Sequence, residues 1–204
     1  MKKLPGLLFF ATLISQLCFS QKIDEIRKQW ILAVFGGLNG SFIHGEGDSW
    51  KGVMPGGQFG LMLSFDRSRN DRTVLSGETA ISMQGSKYQE QNLDGKVRLN
   101  YLNFPMMVQR RSPKGLYGEA GIQPGFLLGA KDTYNGVSYD YKDQSNKFDF
   151  GIPIGVGYVV KRKAGISLRY TFGLSNVNKS DYDDNKDHNG NFALRFFYYL
   201  AARP

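Results

Sequence analysis

A period-two alternation of side chains is the feature of this chain that most restricts its fold. The clearest example runs from Phe148 to Val160, where aromatic and aliphatic residues alternate with Asp149, Gly151, Pro153 and further glycines. Successive side chains of an extended strand point to opposite faces, so a period of two indicates β-structure and not helix. One face of each such strand is apolar, and the other is small or polar.

Similar segments recur along the chain, and many are longer than the five or six residues typical of soluble strands. A strand that crosses a bilayer at a tilt needs about 9 to 11 residues. Small residues on the second face fit the crowded interior of a narrow barrel. The sequence therefore predicts an all-β fold, a closed eight-stranded antiparallel up-and-down transmembrane β-barrel over residues 30–204. The eight segments cover residues 30–41, 58–65, 75–83, 97–108, 116–128, 148–160, 166–175 and 192–200.

The connections between these segments alternate strictly between long and short. An up-and-down barrel with periplasmic termini has short periplasmic turns and longer external loops. The short connections are rich in Arg and Lys, whereas acidic residues outnumber basic ones in the long connections. We expect the basic turns to attract anionic lipid head groups, although basic residues are also common in any exposed turn. The short connections are 67–73, 109–114 and 161–164, and the long ones are 42–54, 86–96, 129–146 and 176–189.

The N-terminus has the organisation of an export signal. Two lysines precede the apolar run 4–19, and the small residues Cys18 and Ser20 stand at the −3 and −1 positions of a cleavage site. We expect residues 1–20 to be a cleaved signal peptide and residues 21–29 a periplasmic segment. The alternative, an anchoring helix, requires a longer apolar run. The expected location is the outer membrane.

The net charge of +8 does not indicate nucleic-acid binding. The basic residues are divided among three separate turns and form no continuous face that could follow a phosphate backbone. The acidic stretch 181–190 resembles a calcium loop, but counting twelve residues from Asp183 ends on Leu194, which cannot ligate. The single cysteine excludes a disulfide framework and a cysteine zinc site. We predict neither a metal site nor a cofactor.

Two motifs resemble those of small outer-membrane β-barrels of the Bacteroidetes type, which are grouped as PorT-like or "outer membrane protein beta-barrel domain" proteins. They are Tyr101–Pro105 (YLNFP) and Gly115–Gly121 (GLYGEAG), the latter followed by Pro124 and Gly125. The likeness extends from about Trp30 to Leu200. The resemblance implies the barrel fold. Because some members are linked to a secretion and gliding machinery, it also implies a role in such an assembly.

Five ionisable residues are predicted to face the interior. Their signs nearly balance, so we expect a structural network of salt bridges, because an unpaired buried charge is costly. The alternative is a gated ion path, which would make the protein a small passive channel. The five residues are Glu78, Glu119, Asp149, Arg169 and Arg195.

The two histidines, His44 and His188, support an enzymatic alternative. They lie in the first and last long loops, which become neighbours once the barrel closes, so they could meet at the outer rim. With a serine such as Ser41, Ser49 or Ser180 they could form the site of a lipid-modifying enzyme. No serine stands at a recognisable motif spacing from either histidine, and we predict no catalytic residue.

Tyr134, Tyr139 and Tyr141 lie close together in the loop between the fifth and sixth segments. Exposed tyrosines are frequent contact residues, so this loop is the predicted partner surface. The alternative is that these rings pack over the mouth of the barrel. The predicted function is that of a non-enzymatic structural or accessory protein, whose partners are outer-membrane lipid and another outer-membrane subunit.

Overall fold

The computed structural model describes residues 29–45, 50–66, 72–90, 93–160, 163–179 and 186–203. The predicted signal peptide, residues 1–20, lies outside the described residues. The all-β prediction is confirmed, since the elements are ten strands and one short 3₁₀ helix, Lys142–Gln144. The strands are β1 Gln29–His44, β2 Trp50–Asp66, β3 Thr73–Glu90, β4 Leu93–Asn103, β5 Met106–Arg111, β6 Leu116–Tyr134, β7 Val137–Asp140, β8 Phe148–Val160, β9 Ala164–Asn176 and β10 His188–Arg203.

Among the described residues, no helix is both long enough and apolar enough to cross a membrane.

The strands form one antiparallel sheet whose hydrogen-bonded pairs make a ring. Strand β1 pairs with β2 on one side and with β10 on the other. The pairing then continues through β9, β8 and β6, and returns to β2 through β4, β5 and β3. The predicted number of eight strands is wrong, because the structure has ten.

The interruption between β4 and β5 accounts for one additional strand. It falls at Pro105, which has no N–H group to donate to a neighbouring strand. The register does not change across it, because Ala80 lies opposite Asn103 and Gly77 lies opposite Met106. Strands β4 and β5 therefore occupy one position in the ring, which the sequence segment 97–108 had covered as a single strand.

Strand β7 is the second addition. It pairs with the end of β6, and the two are joined by Asn135 and Gly136, both with positive φ angles of 50° and 80°. Both residue types tolerate this backbone conformation. Residues 135–140 are all exposed, so the hairpin projects from the ring. Val137 and Tyr139 alternate there with Ser138 and Asp140, but four residues are too few for the sequence pattern to distinguish a strand from a loop.

Alternate residues of each strand face the interior and the surroundings, and the apolar parity faces outward. Phe196 is 58% exposed and Val156 is 56% exposed, whereas Arg195 is 2% exposed and Arg169 is 4% exposed. This arrangement is the reverse of that in a soluble protein, where the residues on the exposed face of a strand are polar. It is the arrangement expected of strands whose outer face contacts lipid.

The strands extend further than predicted at one end of the ring. β1 continues to His44 and β3 to Glu90, so much of the predicted loops 42–54 and 86–96 is strand. Backbone pairing continues there beyond the apolar band. Because no lipid contacts these residues, neither face of the strand has to be apolar, and the sequence shows no alternation that would predict a strand. We call this end, which carries residues 134–148 and 176–188, the loop end. The opposite end, where β2, β5 and β8 finish at Asp66, Arg111 and Val160, is the turn end.

Candidate functional site

Four of the five predicted interior charges meet in one network. Arg169 donates from Nη1 and Nη2 to the two carboxylate oxygens of Glu78, each at 3.0 Å, and from Nε to Oε1 of Glu119 at 2.8 Å. Arg195 donates from Nη2 to Oε2 of Glu78 at 2.8 Å. The four side chains come from β3, β6, β9 and β10, so the network spans the interior. Its formal charge is zero, which satisfies the requirement that buried charges be paired.

The network continues toward the turn end through side chains that sequence reasoning missed. Gln109 donates from Nε2 to Oε2 of Glu119 at 3.1 Å, and Arg111 donates to Oε1 of Gln109 at 2.9 Å. Arg111 also donates to the Tyr199 hydroxyl at 3.3 Å. The sequence predicts residues 109 and 111 in the short connection 109–114, whereas the structure places both on β5. One feature of the sequence could have predicted the inward position of Gln109. Odd-numbered residues of β4 and β5 face inward, and this parity continues without a break through residue 109.

Aromatic packing lies next to the network. The guanidinium carbon of Arg195 lies 4.1 Å from the centroid of the Phe35 ring, a favourable cation–π contact. On the turn-end side of this contact, buried apolar residues form a group that we call the turn-end cluster. The turn-end cluster is Ala33, Phe35, Met62, Ala80, Tyr117 and Phe197, with Val159 and Tyr199 packed against it.

Asp149, the fifth predicted charge, does not join the network. Its Oδ2 accepts a hydrogen bond from Nδ2 of Asn189 at 3.4 Å, and the same amide lies 3.4 Å from the Tyr101 hydroxyl. Asp149 is only 8% exposed. It makes no ion pair with any described residue, so it belongs to a separate polar layer on the loop side of the network.

Apolar side chains and two loops cover the interior at the loop end. Asn146 donates its backbone N–H to the Val177 carbonyl at 2.7 Å, and Lys179 donates to the Gln144 carbonyl at 3.0 Å, which ties the loop after β7 to the loop after β9. Val177 packs inward with its neighbours. We call this group the loop-end cluster, which is Ile43, Val97, Leu99, Tyr101, Leu127, Ala130 and Val177, with Tyr88 and Tyr141 packed against it.

The three tyrosines of the predicted partner loop do not form one patch. Tyr139, on β7, is 58% exposed. Tyr141 packs against the loop-end cluster and donates its hydroxyl to Oδ1 of Asn178 at 3.3 Å. Tyr134, at the end of β6, is half-buried. The side chain of Tyr139 therefore points outward, whereas that of Tyr141 packs over the loop end of the barrel.

The two histidines are adjacent. His44 lies opposite His188 in the pairing of β1 with β10, and their ring centroids are 6.0 Å apart. Ser41 does not join them, because it is fully buried on the inner face of β1 and its hydroxyl lies 3.4 Å from the Met54 carbonyl oxygen. The other predicted nucleophiles, Ser49 and Ser180, lie outside the described residues, as does the acidic stretch 181–185. No group of three or more potential metal ligands of the His, Cys, Asp and Glu types occurs in the described part of the chain.

The lipid-facing surface carries an apolar depression of about 590 Å³ near the turn end. Its floor includes Gly118 and Ala120 of β6, and a side chain added at Gly118 would meet nothing within 4 Å. Arg110 lines the depression and donates to the Thr73 hydroxyl at 2.7 Å. The apolar surroundings are Val108, Ile154, Val156, Leu168, Tyr170 and Phe192, and the lining also includes Glu119, Gly155 and Arg169.

A ring of long antiparallel strands, apolar outside and filled with paired charges inside, defines an outer-membrane β-barrel. A family model described as "Outer membrane protein beta-barrel domain" matches residues 19–179, and the chain belongs to this family. The membership locates the protein in the outer membrane. No curated protein sequence matches the chain.

Several solved structures are similar to the chain. Neisserial surface protein A is 13% identical with a TM-score of 0.54, and the alignment covers 83% of this chain and 97% of that one. Ail, the attachment invasion locus protein of Yersinia pestis, is 17% identical with a TM-score of 0.49 over 86% of this chain and all of that one, 100%. OprG from Pseudomonas aeruginosa is 16% identical with a TM-score of 0.45, covering 86% and 96%. Neisserial surface protein A, at 13% identity and a TM-score of 0.54, supports the fold and nothing further.

Proposed function

We propose that this protein is a non-enzymatic β-barrel that serves as a structural or accessory component of an outer-membrane assembly. One observation carries the proposal: the neutral network of Glu78, Glu119, Arg169 and Arg195 crosses the interior between two packed clusters. Side chains that hold one another in this way stabilise the wall and leave little room for ions. The outer face and the loop end are then the functional surfaces.

The proposed orientation places the turn end in the periplasm and the loop end outside the cell. It is supported by the predicted export signal at residues 1–20. The positions of Gln29 and Arg203 also support it, since the beginning of β1 and the end of β10 both lie at the turn end. The basic residues of that end would then face the inner leaflet. We propose that the depression beside Arg110 holds an anionic phospholipid, with its acyl chain against Gly118 and its phosphate near the guanidinium.

We propose the β7 hairpin as the contact surface for another outer-membrane subunit. Val137 is 51% exposed and Tyr139 is 58% exposed on a strand that projects beyond the ring. Exposed aromatic and aliphatic side chains at a loop tip are suited to protein contacts. A PorT-like, Bacteroidetes-type lineage and a role in a secretion assembly are the finer form of this proposal, supported by the motifs Tyr101–Pro105 and Gly115–Gly121.

Single-channel recording in planar bilayers tests the central claim. The purified protein is expected to give no steady conductance at neutral pH, because the paired charges and both clusters obstruct the interior. A variant with Phe35 and Arg195 both replaced by alanine provides the comparison, since it removes packing from the turn-end cluster and a charge from the network. Steady conductance by the unmodified protein would favour the channel alternative.

The enzymatic alternative is tested with the histidines. Replacing His44 and His188 together by glutamine should leave the phenotype of the strain unchanged if the protein is a structural component. Loss of a lipid modification in that strain, with normal amounts of folded protein, would support the enzyme instead.

A further inference from the structure

His44 and His188 lie side by side at the loop end of the ring. His44 is exposed, and both residues stand on the outer parity at the loop end of two directly paired strands. Neither ring is held inside the barrel. The Phe42 ring lies 5.9 Å from the His44 ring and forms an apolar support on the side toward the lipid.

A backbone contact sets the tautomer of His188. Its Nδ1 lies 3.1 Å from the carbonyl oxygen of Ser175. A carbonyl oxygen only accepts, so Nδ1 carries the hydrogen and donates it, and in the neutral ring the lone pair is on Nε2. Metal-binding histidines commonly use one ring nitrogen in this way, because the hydrogen bond orients the ring and leaves the other nitrogen to ligate.

The separation of the two rings matches a shared ion. With metal–nitrogen distances of about 2.0–2.1 Å, two imidazoles on one ion have centroids about 5 to 6.5 Å apart as the angle at the metal opens from tetrahedral to linear. The centroids of His44 and His188 are 6.0 Å apart, with the planes inclined by 42°. The strand pairing sets this separation of the rings without any ion.

We propose that His44 and His188 form a binding site for a divalent transition-metal ion at the loop end, with water completing the coordination. Imidazole nitrogens select Zn²⁺, Cu²⁺ or Ni²⁺ over the oxygen-seeking Ca²⁺ and Mg²⁺. An ion held there would join β1 to β10, the strands at which the first and last parts of the chain meet. Two protein ligands make the site weaker than the three- or four-ligand sites of structural zinc.

The chain contains only two histidines, and this makes the test unusually direct. The protein is purified from membranes in detergent with a tag that contains no histidine, and Cu²⁺ is added while the electron paramagnetic resonance spectrum is recorded. We expect one equivalent of Cu²⁺ with the signature of two imidazole nitrogens, which Zn²⁺ displaces. In H44Q or H188Q the signature should fall to one nitrogen and the affinity should fall at least tenfold.

A control variant and a folding readout complete the design. K96Q alters an exposed residue near the loop end of β4 and should bind Cu²⁺ as the unmodified protein does. Heat-dependent migration in gel electrophoresis reports whether each variant keeps its barrel. Zn²⁺ should raise the unfolding temperature of the unmodified protein and of the control, and should raise that of H44Q and H188Q much less. A one-nitrogen signature in the unmodified protein, or equal affinity in H44Q, would overturn the site.

Discussion

Arg169 and Glu78 meet in a two-pronged ion pair, in which two guanidinium nitrogens each lie 3.0 Å from a different carboxylate oxygen. This planar fit is the strongest form of the arginine–carboxylate contact. It joins β9 to β3, strands that do not pair with each other in the ring. The pair therefore connects two strands across the interior. We expect substitutions that break it to destabilise the barrel.

Replacing Arg169 by methionine should destabilise the barrel strongly. The change leaves Glu119 and part of Glu78 buried without their partner, and breaking a buried pair in this way costs about 3–5 kcal/mol. Urea unfolding in detergent, followed by tryptophan fluorescence, measures the free energy of unfolding. The control is Arg110→Met at the exposed turn end, where the loss should stay within about 1 kcal/mol. Equal losses of unfolding free energy in the two variants would show that the Arg169–Glu78 pair does not stabilise the barrel across its interior.

Asp149 and Glu78 should respond differently to amide substitution. Asp149→Asn removes a buried charge that makes no ion pair with the described residues, so the free energy of unfolding should be unchanged within about 1 kcal/mol, or should increase. Glu78→Gln removes the central acceptor of two arginines and should cost about 3 kcal/mol or more. A matched pair of urea titrations decides this, and a large loss on changing Asp149 would show that it shares the network.

Gly157 and Gly118 offer a comparison between the two faces of neighbouring strands. A side chain added at Gly157 would collide with the ring of Tyr117, whereas one added at Gly118 meets nothing within 4 Å. Gly157→Val should therefore cost about 1–3 kcal/mol by overpacking the interior. Gly118→Val should be tolerated. The unfolding temperatures of the two variants give the test, and similar values would mean that the inner face is less crowded than described.

Tyr139 and Tyr141 should separate binding from folding. Tyr141→Ala removes a ring from the loop-end cluster and a hydroxyl from Asn178, so hydrogen exchange in residues 129–146 should accelerate. Tyr139→Ala should leave exchange unchanged. If the hairpin contacts a partner subunit, a photoreactive amino acid at position 139 should crosslink to it in intact cells and one at position 141 should not. The reverse pattern of crosslinking would place the contact elsewhere.

Much of the fold could be predicted because lipid imposes a simple rule on each strand. From Phe148 to Val160, and equally along β9 and β10, the apolar parity identified the outer face residue by residue. The rule fails where the lipid ends. Strands β1 and β3 continue past the apolar band to His44 and Glu90, so the alternation does not mark their full length. Strand β7 has only four residues, too few for the alternation to identify it.

The sequence by itself determined which side chains face outward and that charged residues lie inside, because both follow from the period of a single strand. Only the tertiary structure decided which of those charges meet. Glu78 and Arg169 are 91 residues apart in the chain, and their contact depends on the stagger of strands across the ring. The same stagger sets Asp149 in another layer, since contact across an interior depends on the height of each side chain along the barrel axis. Gln109 joins the network because it lies directly opposite Glu119 in the pairing of β5 with β6, and this pairing too belongs to the tertiary structure.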